Sequence, residues 1–274
     1  MRFTVTIDAE RLVPRQAVLS SIRVIRDYQA LGTAPAEVLT RPRITAGAIR
    51  WSRDRLDGAA GYDLAVAVTD GRIDNGAILA GKDGRIRFAV MALTGETPLT
   101  PRGGTDLLNA KAQPDQGARN ALTFLSYAEK FLAGSWRFDT YFGRDTLMSV
   151  RLLMPALQPE AVETGLSSVL ARLSPQGEVA HEEDIGEFAI LDHRKADGSL
   201  SDAPVYNYNM VDSDYMLAPV ARAWLLDDPR GGRGRRRFLR SGWVARRWAH
   251  GWCAIYASSC VRHSPLPVIR FRRS

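Results

Sequence analysis

The hydrophobic pattern changes its period once along the 274-residue chain, and this change constrains the fold more than any other feature. Before about residue 100, apolar residues alternate with small or polar ones, as in strands with one buried face. After about residue 117 they recur at spacings of three and four, which is typical of helices. The alternating runs are Leu64, Val66 and Val68, then Ile86, Phe88 and Val90. The chain therefore predicts an α+β protein in which strands precede helices.

Turn and linker signals divide the chain further. Asp70-Gly71 and Asp83-Gly84 are dipeptides that join antiparallel strands. A stretch rich in Pro, Gly and polar residues around 98–117 is typical of a linker. The predicted organisation is a β-sandwich-like region at 1–100, a linker at 101–117, a helical domain at 118–229 and a tail at 230–274.

The helical region predicts four helices separated by loops. The first places Ala121, Leu125, Ala128 and Leu132 on one face and ends at Gly134. The second and third form a hairpin, because only a short link separates them. The fourth is kinked by a proline. Their predicted ranges after the first are 146–154, 159–174 and 211–226, with a loop at 175–207 and the kink at Pro219.

The composition changes abruptly near Pro229. Residues 230–274 contain twelve arginines, no acidic residue and both cysteines, Cys253 and Cys260. Without them the chain has 25 basic and 30 acidic residues, so the net charge of +7 comes from this tail. Three interpretations are open: a frameshifted or otherwise non-native tail, a solvated native tail, or a nucleic-acid-binding arm. We favour the first and do not expect nucleic acid as a partner.

The segment WRFDTYFGRDTLMSV, residues 136–150, is the first candidate site. A guanidinium and a carboxylate at the start of a helix can bind vicinal hydroxyls, and aromatic rings offer an apolar face to a sugar. Alternatively, Asp145 or Thr146 is only the N-cap of the helix, with Arg144 as an ion-pair partner. The candidate binding residues are Trp136, Tyr141, Phe142, Arg144 and Asp145.

The segment VYNYNMVDSDYML, residues 205–217, is the second candidate. Asp212 and Asp214 begin a predicted helix beside Tyr208 and Asn209. A carboxyl group among aromatic residues can have a raised pKa and act as a general acid. The alternative is helix capping, because Asp and Ser are favoured at such positions.

The segment HEEDIGEF, residues 181–188, is an acidic cluster that includes Glu182 and Glu183. It could bind a cation, hold a catalytic carboxylate, or form a solvated loop at the rim of a site. Its spacing matches neither an EF-hand loop nor the HExxH pattern, so we predict no metal site.

The order and spacing of YFGRDT and YNMVDSD, each before a helix, resemble the amylo-α-1,6-glucosidase domain of glycogen debranching enzymes. More broadly they resemble the six-hairpin, (α/α)6-barrel glycosidases that include glucoamylase. The resemblance covers residues 115–228, and Phe142 stands where debranching enzymes usually have tryptophan. It implies that Arg144 and Asp145 bind the terminal sugar, and we predict Tyr208 and Asn209 as further substrate-binding residues. It also implies that Asp212 is the general acid, with Glu182 or Glu183 as the second choice for that role.

The family is thus expected to be an inverting glycoside hydrolase of oligo- or polysaccharides that needs no cofactor or metal. A barrel of twelve helices requires about 180–220 residues, whereas 115–229 accommodates four helices. No acidic residue follows Asp228 to serve as the general base. We therefore expect an incomplete barrel and an inactive chain, and keep two alternatives: a non-catalytic carbohydrate-binding remnant, and nucleic-acid binding through the tail.

The N-terminus and the hydropathy carry an expectation about location. The sequence has no run of about 18 apolar residues, so it predicts no transmembrane helix. Asp8 and Glu10 interrupt the first apolar stretch, so it is too short for a signal peptide. We expect a cytoplasmic protein with no membrane partner; the oligomeric state is not predicted.

Overall fold

A computed structural model of the protein describes residues 1–134 and 138–240, with the backbone alone at 235–237, 239 and 240. Trp136 and the tail from 241 to 274 therefore lie outside the described residues. The fold is mixed α+β, as predicted. Its strands are β1 (Arg2–Asp8), β2 (Arg11–Leu12), β3 (Ala17–Val18), β4 (Leu39–Thr40), β5 (Arg43–Ile44), β6 (Ala48–Arg53), β7 (Tyr62–Asp70), β8 (Arg72–Asp74), β9 (Ala77–Leu79), β10 (Arg85–Thr94), β11 (Glu182–Asp184) and β12 (Val205–Asn207).

The helices include the two that were predicted to form a hairpin. These are α4 and α5, and α5 begins at a proline, which suits a first helical turn. The α-helices are α1 (Ile22–Leu31), α2 (Gly104–Leu107), α3 (Gln116–Phe124), α4 (Gly143–Leu153), α5 (Pro159–Leu170), α6 (Gly186–Asp197), α7 (Asp212–Arg222) and α8 (Pro229–Arg240). A 3₁₀ turn covers Ala36–Val38, and a π-helical turn, Ala223–Asp227, continues α7 past Pro219.

The chain divides into two compact units. Unit 1 contains Met1–Pro98 and Asp184–Val205, together with Phe138. Unit 2 contains Leu99–Gly134, Asp139–Glu183 and residues 206–240. Unit 1 is therefore discontinuous in sequence, because a segment that we had placed in the helical domain belongs to it.

Unit 1 is built on an antiparallel sheet of five strands in the order β1-β10-β7-β6-β5. The two strands with the clearest alternating pattern, β7 and β10, pair with each other, with Val66 opposite Val90 and Val68 opposite Phe88. A second sheet has the order β2-β9-β8. Gly71, at φ +117°, forms the turn from β7 of the first sheet to β8 of the second. A Cβ there would lie 2.4 Å from the carbonyl oxygen of Leu79, so only glycine fits.

The core of unit 1 is small and takes residues from both sheets. Ile49, Trp51 and Ile86 come from the five-stranded sheet, and Ile78 comes from β9. Partly buried residues such as Val66 pack around them. Along β10, Ile86 and Val90 are buried and Phe88 between them is partly buried, which is the physical origin of the alternating pattern.

Two predicted elements of the helical region are wrong. The first helix ends at Phe124 instead of continuing to Gly134. Beyond it the chain reverses, with the amide of Leu132 donating to the carbonyl of Leu125 at 2.8 Å. The predicted loop at 175–207 contains α6, whose inward face carries the fully buried Glu187. A carboxylate at a buried position breaks the apolar spacing on which helix prediction depends.

Unit 2 has a larger apolar core, formed mainly by α4, α5 and α7. Fully buried side chains include Leu147, Val150, Leu166 and Trp224. Gly165 allows α5 to approach α4, because a Cβ there would lie 2.4 Å from Cγ2 of Val150. The long apolar faces read from the sequence are thus in mutual contact.

The first part of the predicted tail is an ordered helix, α8. The guanidinium of Arg230 donates to the carbonyl oxygens of Leu157 at 3.0 Å and Met154 at 2.7 Å. Phe238 is buried in the core of unit 2. Residues 230–240 thus belong to a helix of unit 2, with Arg230 and Phe238 as its contacts, while the interpretation of the tail as non-native stays a prediction.

Candidate functional site

The segment GRDT forms the first turn of α4, which begins at Gly143 and so three residues before the predicted start at 146. Gly143 is required there, because a Cβ would lie 2.3 Å from the carbonyl oxygen of Ala180. Its amide donates to the carbonyl of His181 at 3.0 Å. The N-cap is Phe142, which makes no side-chain cap bond, so neither Asp145 nor Thr146 is the N-cap. Arg144 and Asp145 are left partly exposed at the start of the helix.

The second candidate segment places Asp212 at the first position of α7. Nη1 of Arg144 lies 3.2 Å from Oδ2 of Asp212, and Nε of Arg144 lies 3.8 Å from Oδ2 of Asp145. The fold thus brings together two charged groups that are 68 residues apart. All three side chains are between 36% and 47% exposed, so a ligand can reach them.

The electrostatic surroundings of the two aspartates in α7 are opposite. Desolvation is the largest single influence on Asp212 and raises its pKa, but the hydrogen bond and charge of Arg144 and the contacts with Ser213 together outweigh it and lower that pKa below its usual value. Burial raises the pKa of Asp214, and the charges of Glu178 and Asp212 add to this effect. The amide of Val179 donates to Oδ1 of Asp214 at 2.6 Å and offsets it in part.

This difference changes the assignment of a proton donor. A general acid must hold its proton near the working pH, which a raised pKa favours. Asp212, as the partner of a guanidinium, is the better ligand for hydroxyls. The raised pKa makes Asp214 the better candidate of the two for a proton donor. The sequence pointed to both aspartates, and we predicted Asp212 as the acid. The surroundings of Asp212 and Asp214 depend on Arg144 and Val179, which only the fold brings close to them.

Glu183 is buried in an ion-pair triad. Its Oε2 lies 2.6 Å from Nε of Arg172 and 3.3 Å from Nζ of Lys130. The hydroxyl of Thr140 donates to the carbonyl of Glu183 at 2.7 Å. Burial lowers the pKa of Lys130, and the charge of Glu183 opposes this shift. Glu183 is only 3% exposed and its carboxyl contacts Arg172 and Lys130, so a sugar cannot easily reach it. Glu182, the other second choice, is half-buried and pairs with Phe142 across an isolated β-bridge.

The predicted aromatic platform is only partly available. Tyr141 is fully buried, with the guanidinium of Arg172 lying 4.6 Å from its ring centroid. The hydroxyl of Tyr208 donates to the carbonyl of Arg172 at 3.1 Å. These two tyrosines support the loop that carries Arg172 and do not form an open face for a sugar. Phe142 is half-buried with its ring edge against His181, and Asn209 is exposed.

Arg172 and Lys130 are the site-forming residues that sequence reasoning missed. Neither belongs to a recognisable motif, and their shared carboxylate lies 11 and 53 residues away. The sequence around Lys130 gave little signal, because Lys130 follows the charged Glu129 and directly precedes the apolar pair Phe131 and Leu132.

Neither the described residues nor the comparisons with known proteins add a further functional feature to this site. No cluster of three or more potential metal ligands occurs within 1–134 and 138–240. Over the same ranges, no helix combines the length and apolar character needed to cross a membrane. No protein-family model, curated protein or solved structure matches this chain.

Proposed function

We propose that unit 2 binds a glucoside at Arg144, Asp145 and Asp212, as the sugar site of a glycoside hydrolase similar to the debranching α-1,6-glucosidases. The observation that carries the proposal is the 3.2 Å contact between Arg144 and Asp212. It joins the two segments on which the resemblance rests. In the same proposal, unit 1 corresponds to a β-sandwich and α4, α5 and α7 to the first hairpins of an (α/α)6 barrel.

The chemistry of the three side chains suits a sugar. A guanidinium donates in a planar fork and two carboxylates accept, so together they can hold adjacent hydroxyl groups. Their partial exposure leaves room for a ligand to replace the Arg144–Asp212 contact. Hydrolysis needs in addition a group that protonates the leaving oxygen and a second carboxylate that activates water, and no acidic residue follows Asp228 to be that base. Asp214 takes the role of proton donor in the proposal, and no cofactor is needed.

The first test is sugar binding. Glucose, maltose and isomaltose are titrated into the full chain while amide NMR signals are followed. We expect saturable shifts at Arg144 and Asp212, and at least about tenfold weaker binding for Arg144→Gln, since a charged hydrogen bond contributes about 1.5–3 kcal/mol. Asp227→Asn is the matched control, because Asp227 is an exposed aspartate paired with Arg222 at 3.7 Å. No saturation, or equal weakening by the control, contradicts the proposal.

The second test separates binding from turnover. Release of glucose from α-1,4- and α-1,6-linked oligosaccharides is measured for the wild type and for Asp214→Asn. If Asp214 is the acid, the variant loses turnover and keeps its affinity. Asp212→Asn weakens binding instead.

Binding without turnover is the second candidate function. It is favoured by one observation: the carboxyl that the resemblance assigns as acid, Asp212, has a lowered pKa beside Arg144. A wild-type chain that binds isomaltose and releases no glucose supports this candidate. Turnover that disappears in Asp214→Asn supports the hydrolase.

A further inference from the structure

Unit 1 contains a cleft of about 570 Å³ that has no part in the proposed sugar site. This volume falls within the range of small-molecule sites, roughly 300–1,000 Å³. It is lined by Pro14, Arg15, Gln16, Tyr28, Arg41 and Pro42.

The backbone brings the two arginines to one place. Strands β3 and β4 pair antiparallel, with Ala17 opposite Thr40. Continuing this register by one residue places Gln16 opposite Arg41. The carbonyl of Arg15 accepts a hydrogen bond of 2.9 Å from Nε1 of Trp51, a core residue. The cleft is therefore built on a strand ladder and tied to the core of unit 1.

The charge of the cleft is uncompensated. Its lining includes two guanidinium groups and no carboxylate. Within the part of the chain that the structure describes, neither Arg15 nor Arg41 forms an ion pair. Like charges in one cleft repel each other, and a bound anion relieves that repulsion. Many other arginines of unit 1 are paired with carboxylates, although among the described residues Arg2, Arg11, Arg43 and Arg72 are unpaired too; the paired ones include Arg23, Arg26, Arg50, Arg53, Arg55, Arg85 and Arg87.

We propose that this cleft binds the phosphate group of a phosphate monoester. Arginine presents a planar fork that matches two phosphate oxygens, and two such forks can hold a dianion. The amide of Gln16 and the hydroxyl of Tyr28 supply neutral donors in the same lining. Pro14 and Pro42 have fixed φ angles, which limits the loss of backbone entropy on binding. The remaining space accommodates the organic part of the ester.

The experiment uses inorganic phosphate and phenyl phosphate as probes. Both are titrated into the full chain at constant ionic strength, with chloride as the replaced anion, while amide NMR signals are followed. We expect saturable shifts at Gln16 and Arg41 and tighter binding of the ester. Arg15→Gln and Arg41→Gln should each weaken binding at least about tenfold, the equivalent of about 1.4 kcal/mol.

Two variants make the outcome specific. Arg43→Gln removes an exposed arginine of β5 that does not line the cleft, and it should change affinity less than twofold. Arg41→Lys keeps the charge but loses the fork, so its affinity should lie between those of the wild type and Arg41→Gln. Thermal melting followed by circular dichroism checks that each variant is folded. Absence of saturation by both probes, or equal weakening by Arg43→Gln, overturns the proposal.

Discussion

Unit 1 buries a carboxylate against an arginine beside a small apolar core, whereas unit 2 packs a much larger set of apolar side chains. Glu187 is fully buried and accepts hydrogen bonds from Arg53, from the hydroxyl of Ser20 at 2.5 Å and from the amide of Leu56 at 2.9 Å. The apolar cluster of unit 1 has four buried members among the described residues, against 22 in unit 2. A small core leaves more of the stability of unit 1 to polar contacts.

A second polar network follows the same pattern in unit 1. The guanidinium of Arg55 pairs with three carboxylates, those of Asp57, Glu96 and Asp202. The hydroxyl of Tyr62 donates to Glu96 at 3.0 Å. Unit 2 has one buried triad around Glu183, but it lies beside an extensive apolar core. We therefore expect the two units to be destabilised by different kinds of substitution.

The largest expected effect is that of Glu187→Gln. The change leaves the Arg53 guanidinium, which is 11% exposed, without its charged partner. Breaking a buried pair in this way costs about 3–5 kcal/mol. Urea unfolding measures the loss, and hydrogen exchange locates it in unit 1. Glu37→Gln is the control, because its pair with Arg194 is exposed and contributes at most about 1 kcal/mol. Equal losses in the free energy of unfolding for the two variants would contradict the view that the buried pair stabilises unit 1.

In unit 2 the corresponding test is Leu166→Ala. Leu166 is fully buried between helices, so truncation leaves a cavity and lowers the free energy of unfolding by about 2–5 kcal/mol. Leu152→Ala makes the same chemical change at a residue that is 73% exposed, and its effect should stay within about 0.5 kcal/mol. If both leucines prove equally tolerant, the apolar core does not stabilise unit 2 as described.

The smallest expected effect is the response of unit 1 to acid. The hydrogen bond from Arg55, against a smaller desolvation effect, lowers the pKa of Asp57 to about 2, from an ordinary value of 3.8. A carboxyl with a lowered pKa in the folded state stabilises it above about pH 4, and this contribution is lost as the pH falls towards 2. The wild type should therefore lose stability over this window, and Asp57→Asn should lose less.

Urea unfolding at pH 5 and at pH 2.5 measures that difference. Leu166→Ala serves as the control, because it lowers stability without removing a titrating group and should keep the wild-type acid response. An identical loss in Asp57→Asn and the wild type would show that the Arg55 network does not stabilise unit 1.

Local patterns predicted the elements whose inward face is mainly apolar and carries no charged residue. Strands β7 and β10 follow from their alternation, and α5 follows from its apolar spacing and from Pro159. The patterns failed at α6, because Glu187 occupies a buried position. They also extended the first helix of the region past Phe124, where the chain reverses.

The sequence was enough to name residues of the candidate site but not to assign the role of each. Arg144, Asp145 and Asp212 could be named from their motifs, and the fold brings them together. Which aspartate keeps a proton depends on the burial of Asp214 and on the contact of Asp212 with Arg144, 68 residues away. The burial of Tyr141 depends likewise on Arg172. Such contacts between distant segments have no signature in the local sequence.

The discontinuity of unit 1 has a consequence for how the chain matures during synthesis. The ribosome completes residues 1–98 long before it makes 184–205, yet Arg53 meets Glu187 only when the later segment has emerged. Until then the early strands hold an arginine without its partner carboxylate. We therefore expect a fragment ending near residue 98 to fold poorly alone. A separate peptide spanning 184–205 should restore its folding when added.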